Sequence, residues 1–248
     1  MPIPIRPIRA TPDEDYTTQL TDDGSRTLIH QPSGVAYHSG CGARTECDHV
    51  YVRNGGLIER AEDGPHSVLE IGFGTGMAML RTLHAVAADS DARGLTYVAI
   101  ENKPLHPSIV ASVLDSQDEM TSHFLRQWSE WFDHDCPRSS FKFNWSATCD
   151  VQVIITNAES WLAGTNATFD VIYFDPFDPE SNPQLWTPEV YRDLFRILNP
   201  NGRLVSYCVK SRVRREMASI GFDAQCVPGP PDGKREVLIA TKVISQGQ

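Results

Sequence analysis

Glu70-Ile71-Gly72-Phe73-Gly74-Thr75-Gly76 is the segment whose residue types and spacing carry the most specific chemistry. It is entered from the apolar pair Val68-Leu69, so it reads as a strand that turns through glycines and opens a helix. Glycines accept positive φ and let a ligand approach the backbone with no Cβ in the way. A dinucleotide turn needs G-x-G-x-x-G, but the position five after Gly72 is Met77, which sets that reading aside. A carboxylate at Glu70 suits the amino group of a ligand lying along Gly72, Phe73, Gly74, Thr75 and Gly76. Glu101 closes the run Tyr97–Glu101 and can accept two hydrogen bonds from a ribose diol. Asn157 and Ala158 follow the next apolar run, where a purine ring would be met. Asp175 and Asp178 lie just past a fourth run, Phe169–Phe174. An acid there suits an amine nucleophile, because it can orient an N–H and offset charge on the attacking nitrogen. Asp178 alone reads as an ordinary Asp-Pro turn, which makes Asp175 the stronger of the two catalytic candidates.

These residues need strands that end side by side. Ser67–Ile71, Leu95–Ile100, Val151–Ile155, Phe169–Phe174 and Arg203–Cys208 read as buried strands. Helices are expected over Gly76–Ala88, after Pro107, and near Glu159–Ala163, Pro188–Leu198 and Arg212–Ile220, the last stopped by Gly221. Phe222–Val227 and Glu236–Thr241 can close the sheet as an antiparallel hairpin. The alternation predicts an α/β fold with a mostly parallel, seven-stranded sheet and a site at the C-terminal strand ends. Residues 1–65 read as an irregular N-terminal extension packed on the core, with β-prone pieces at Thr27–His30 and Val50–Arg53. The turns Gly55-Gly56 and Asp63-Gly64-Pro65 lead into the main domain, residues 66–248. Residues 116–149, with Trp128, Trp131 and Trp145, read as an insertion without clear strand periodicity.

A chain of 248 residues can bury one sizeable core. No run of 18 apolar residues and no signal-peptide pattern occur, so the expected address is cytoplasmic, without a membrane partner. The six cysteines contain no C-x-x-C pair and read as reduced thiols. Cys41 and Cys47 with His38 and His49 have the wrong spacing for a zinc finger, so no metal is expected. The net charge of −10 argues against a generally sticky nucleic-acid binder. It is unevenly spread, however. From Arg196 onward nine Lys/Arg face four Asp/Glu, a balance of +5, against −15 for the rest. That asymmetry suits an anionic partner docking at one end.

Several motifs then occur in a fixed order. They are Tyr37-His38-Ser39, Gly42-Ala43 and Glu46; Glu70–Gly76; Asp175-x-Phe177-x-Pro179; and Asn182-Pro183-x-Leu185-Trp186-Thr187. Gly202, Tyr207-Cys208, Val213-Arg214-Arg215, Gly221-Phe222, Pro228-Gly229-Pro230 and Gly233-Lys234-Arg235-Glu236 complete the set. From about Tyr37 to Ala240 the chain resembles the methyltransferase domain of the bacterial tRNA 5-methylaminomethyl-2-thiouridine-forming family. The resemblance implies a Rossmann-like class I fold, S-adenosyl-L-methionine as cofactor, and methylation of the aminomethyl nitrogen on a modified wobble uridine of tRNA. Trp186 would then stack on the uracil, while Arg212, Arg214, Arg215, Lys234 and Arg235 would meet phosphates. Two departures stand out. Asn157 occupies the family's acidic third-strand position, and Pro176 and Asp178 replace small residues. The family's larger enzyme also carries a flavin-dependent oxidase domain with no expected counterpart here, so an upstream enzyme would supply the primary amine. Rival readings are a methyltransferase of small amines or proteins and, further off, a non-catalytic cofactor-binding subunit.

Overall fold

The N-terminal segment is more regular than its composition suggests. In the computed structural model, which describes residues 5–58, 66–89, 94–135 and 140–243, it forms a four-stranded antiparallel sheet. Ile8–Ala10 (β1), Tyr16–Leu20 (β2), Arg26–His30 (β3) and Val35–Ala36 (β4) pair in that order. The β-prone piece at Thr27–His30 lies within β3. The piece at Val50–Arg53 does not form a strand. Helix Ala43–Cys47 (α1) runs directly into a π-helical turn, Asp48–Arg53. Three consecutive residues of that turn, Val50, Tyr51 and Val52, are buried. Their packing against the core decides the conformation over β-branched preference. The turn at Asp63-Gly64-Pro65 and Cys136 lie outside the described residues.

The main layer follows in chain order: His66–Ile71 (β5), Met77–Ala88 (α2), Leu95–Glu101 (β6), Pro107–Val113 (α3), Glu119–Asp135 (α4), Ser140–Ser146 (β7) and Cys149–Ile155 (β8). Then come Ala158–Gly164 (α5), Phe169–Phe174 (β9), Pro188–Ile197 (α6), Leu198–Ser206 (β10), Ser211–Ile220 (α7), Asp223–Pro228 (β11) and Glu236–Thr241 (β12). The sheet order is β11-β12-β10-β9-β5-β6-β8-β7. Strands β8, β6, β5, β9 and β10 are parallel, while β12 runs antiparallel against both β10 and β11. The C-terminal hairpin is therefore present, and the strand order reverses between β5 and β9, where such sheets open a crevice.

The sheet has eight strands rather than the expected seven. The extra one, β7, pairs antiparallel with β8 and comes from the tryptophan-rich insertion. Its pattern is legible in retrospect: Phe141 and Phe143 are buried while Lys142 and Asn144 are exposed, the two-residue alternation of an edge strand. The insertion packs into the core. Trp128 is fully buried, donates its indole N–H to the Leu105 carbonyl at 3.1 Å, and lies 5.5 Å from the Phe73 ring. Residues 116–149 thus brace the glycine loop from behind.

Candidate active site

Three strand ends meet at the crevice. The Gly72 N–H donates to the Ile100 carbonyl at 3.0 Å, and the Asp175 N–H donates to the Ile71 carbonyl at 3.0 Å. These bonds lock β5 to β6 on one side and to β9 on the other. Gly72 has φ +93°, and a Cβ there would lie 2.7 Å from the Asp175 carbonyl oxygen. No other residue fits so close a backbone approach. At Gly74, φ +54°, a Cβ would press on the Tyr37 ring at 3.3 Å, so this glycine keeps the loop open beneath the aromatic side chain.

The strand ends enclose a cavity of about 530 Å³. Glu70 is 1% exposed and accepts a hydrogen bond from the Tyr97 hydroxyl at 2.9 Å. Burial pushes its carboxyl well above the ordinary range, and neighbouring Asp175 and Glu101 push the same way against the Tyr97 bond. One Glu101 oxygen accepts the Phe73 and Gly74 N–H groups at 3.1 Å each, and the other accepts the Lys103 N–H at 2.8 Å. Burial nevertheless holds Glu101 above its usual value. Asn157 and Ala158 line the cavity as expected. The Asn157 side chain, however, accepts the Ser160 N–H at 2.9 Å and so caps α5. Asp175 faces the same space. Burial pushes its pKa up to about 8, with Glu46 adding repulsion, while a hydrogen bond from Tyr51 and the charge of Lys234 pull it back.

Other candidates fall elsewhere. Asp178 lines the cavity, but its carboxylate accepts the Glu180 N–H at 2.9 Å, the Ser181 N–H at 3.2 Å and the Ser181 hydroxyl at 3.0 Å. Against a burial effect that raises it, these bonds hold the carboxyl below its ordinary range. It is spent on building the loop. Trp186 does not offer a stacking face: it is 1% exposed, packs on Phe174 at 4.8 Å and donates its indole N–H to the Phe177 carbonyl at 2.7 Å. It is the floor of the loop. Phe177, by contrast, is 37% exposed at the cavity and meets Tyr37 edge-on at 5.1 Å.

The basic cluster divides. Lys234 belongs to the cavity wall, 3.9 Å above the Tyr207 ring and 3.1 Å from the buried carboxylate of Glu46. Arg212 pairs with Glu216 along α7, Arg214 donates to the Cys226 sulfur at 3.3 Å, and Arg215 and Arg235 are exposed. None of these four arginines lines the cavity. Conversely, Tyr37, His38, Glu46, Tyr51, Asn182 and Tyr207 do line it, and no role at the site was read for them. Four of the six come from the N-terminal extension, whose irregular composition hides any periodicity that would have placed them.

The cavity suits S-adenosyl-L-methionine. It offers carboxyl acceptors at successive strand ends beside a loop whose glycines leave room for a ligand, and the Thr75 hydroxyl is buried there without a partner. Among the described residues no group of His, Cys, Asp and Glu is arranged to hold a metal ion, and no helix is long and apolar enough to cross a membrane.

Comparison with known proteins agrees. Residues 116–243 match the family described as S-adenosyl-L-methionine-dependent methyltransferase. The tRNA 5-methylaminomethyl-2-thiouridine biosynthesis bifunctional protein MnmC of Pseudomonas putida is 32% identical over 220 residues, covering 84% of this chain and 32% of that protein. Its counterpart from Cupriavidus necator is 29% identical over 214 residues, covering 83% and 31%. The chain therefore spans about a third of the length of these curated relatives. The crystal structure of MnmC2 from Aquifex aeolicus superposes with a TM-score of 0.76 at 22% identity, covering 94% of this chain and 72% of that one. Spermidine synthase from Thermotoga maritima shares the fold more distantly, with a TM-score of 0.57 at 16% identity, covering 96% and 74%. With the glycine loop, the strand order and these matches together, the chain belongs to the S-adenosyl-L-methionine-dependent methyltransferases, in the family of the MnmC methyltransferase domain.

Proposed function

We propose that the enzyme methylates the nitrogen of an aminomethyl group on a modified wobble uridine of tRNA. The observation that carries this reading is Asp175: a half-buried carboxyl at the end of β9, in one cavity with the glycine loop and the exposed ring of Phe177. The curated relatives are named for biosynthesis of 5-methylaminomethyl-2-thiouridine in tRNA, which supports the same substrate. The cofactor would lie along Gly72–Gly76, with Glu70 toward its amino group, Glu101 toward its ribose and the Asn157–Ala158 turn toward its adenine. It supplies an activated methyl group on a sulfonium.

The rest falls to the chain's own residues. An alkyl amine is mostly protonated at neutral pH, with a pKa of ~10. In its ionised form a carboxyl whose pKa is about 8 can take that proton, or pass it to water, and keep the neutral amine's N–H in a hydrogen bond. Phe177, rather than Trp186, offers a face to the uracil, and Tyr37 closes the other side of the mouth. Lys234, Arg214, Arg215 and Arg235 would meet the polyanion. Substrate of this kind places the enzyme in the cytoplasm, downstream of an enzyme that leaves a primary amine on the uridine. One observation favours a second reading, a small cationic amine as acceptor. Six acids, Glu46, Glu70, Glu101, Glu159, Asp175 and Asp178, line the cavity against the lysines Lys103 and Lys234.

Transfer of labelled methyl from S-adenosyl-L-methionine to tRNA bearing 5-aminomethyluridine, followed by nucleoside analysis, separates the two. Label in 5-methylaminomethyluridine supports the tRNA reading. Cofactor binding without label in tRNA sends the substrate to small amines.

A further inference from the structure

We propose that Asn182 limits the amine to a single methyl group: its side-chain carbonyl accepts the second N–H of a primary amine whose first N–H is held by Asp175. The inference rests on the proposed function above. Asn182 lines the cavity, and its Oδ1 is buried without a hydrogen-bond partner. A buried acceptor left unmet is uncommon in a folded protein and disfavours the fold that carries it.

Its place in the chain sharpens the observation. Asn182 stands at the N-cap of the short 3-10 turn Pro183–Leu185, where an Asn side chain ordinarily accepts a backbone N–H, yet it makes no such bond. Asn157 and Thr187 do cap their helices, α5 and α6. Asn182 is held by its backbone instead. Its N–H donates to the Asp178 carbonyl at 2.9 Å, and its carbonyl accepts the Leu185 N–H at 3.2 Å. The Trp186 indole pins the same loop through the Phe177 carbonyl. The amide is thus carried on a fixed turn of the loop that begins at Asp175.

Among the described residues, three cavity-lining side chains have a buried polar atom without a partner: His38, Thr75 and Asn182. Only the Asn182 oxygen is purely an acceptor, and so asks the ligand for a donor. Two other acids of the wall are already engaged, Glu46 by the Ser39 N–H at 2.6 Å and by Lys234, and Asp178 by its own loop. A primary amine attacking with its lone pair forms the N–C bond as the S–C bond breaks. Nitrogen takes the positive charge that sulfur gives up, and a proton then leaves to Asp175 or water. Two N–H bonds point away from the reacting methyl throughout. The methylated product keeps one of them, and its new methyl stands where the other was. A second attack with N–H toward Asp175 sets that methyl against the Asn182 oxygen and leaves the oxygen without a donor. A site built to bond an N–H rejects the analogue that lacks it.

The test compares single-turnover rates on tRNA bearing 5-aminomethyluridine and on tRNA bearing 5-methylaminomethyluridine, with the product nucleosides identified by mass. Wild-type enzyme is expected to favour the primary amine. In Asn182→Leu, which keeps the bulk and removes the acceptor, that preference should shrink by roughly tenfold or more, and dimethylated nucleoside should appear. Asn182→Asp retains an acceptor and should retain the preference. A loop merely disturbed would slow both substrates alike. An unmoved ratio in Asn182→Leu, or a wild-type enzyme that methylates both amines equally, overturns the role of Asn182 and leaves the proposed function standing. Wild-type enzyme that labels neither tRNA overturns the reading of the substrate, and this inference with it.

Discussion

Asp175 and Trp186 show how differently two side chains singled out for the site can behave once their surroundings are known. Asp175 lines the cavity, whereas Trp186 does not and donates its indole N–H to the backbone carbonyl of Phe177. Asp175→Asn keeps the shape and removes the charge, so cofactor should still bind, with part of the rise in its affinity with pH lost. Methyl transfer should fall tenfold or more, about 1.4 kcal/mol at the barrier, in a single-turnover assay with saturating cofactor. Equal single-turnover rates would remove the residue from the reaction. Trp186 makes the opposite forecast. Because it is fully buried against Phe174, Trp186→Ala should lower unfolding stability by about 3–5 kcal/mol, seen as an earlier denaturant midpoint. A stacking residue on the surface would instead leave stability alone and raise KM. The stacking role was what the family resemblance implied, with packing under the loop the equal alternative; the Nε1 bond to a backbone carbonyl is a contact no local pattern announces.

At the scale of elements, legibility followed periodicity. Strand β9, Phe169–Phe174, was placed to the residue because a run of buried apolar side chains bounded by Thr168 and Asp175 has only one good reading. Helix α7 ended at Gly221, φ +123°, for the reason a C-terminal glycine predicts. The glycine loop was found for the same kind of reason: the backbone there needs glycine. The misses lie where a long-range contact decides. The π-helical turn carries Val50, Tyr51 and Val52, a string that looks like a strand until the core claims all three. Strand β7 was hidden because its alternation is only two turns of Phe and polar residue long. The N-terminal extension forms one wall of the cavity, through Tyr37, His38, Glu46 and Tyr51, and nothing in its sequence ties it to β9 across more than a hundred residues. The loop itself offers the sharpest test of how the elements meet. Gly72→Ala puts a Cβ 2.7 Å from the Asp175 carbonyl and forces positive φ on alanine. It should cost about 1–3 kcal/mol in stability and weaken cofactor binding more than tenfold by titration. Wild-type affinity with lost stability would mean the junction supports the fold but not the ligand.

Over the whole molecule the problem is one of charge. A chain with net charge −10 gathers three of its acids around one cavity, Glu70 buried and Glu101 and Asp175 half-buried, and each is pushed above its ordinary value chiefly by removal from water. The basic end that the sequence suggested for a polyanion supplies one of its side chains, Lys234, to that cavity and presents Arg215 and Arg235 to solvent. The sign of the pH response follows. An acid whose pKa is higher in the folded than in the unfolded chain binds more protons when folded, so stability is present in full below its unfolded value and falls as pH rises. For Asp175 that window runs from its ordinary value, near 4, to about 8. A sulfonium brought into the cavity reverses the penalty, because a positive charge favours the ionised carboxyls and expels their protons. Affinity for S-adenosyl-L-methionine should therefore rise between pH 6 and about 8, with protons released on binding. Calorimetry in buffers of different ionisation enthalpy measures both quantities. S-adenosylhomocysteine supplies the contrast: it has the same shape without the sulfonium charge, so its affinity should climb less steeply over the same range. If the two ligands showed identical pH dependence, the acids would be responding to the cofactor's amino acid and ribose alone, and the cavity's charge would have no part in recognising the activated methyl.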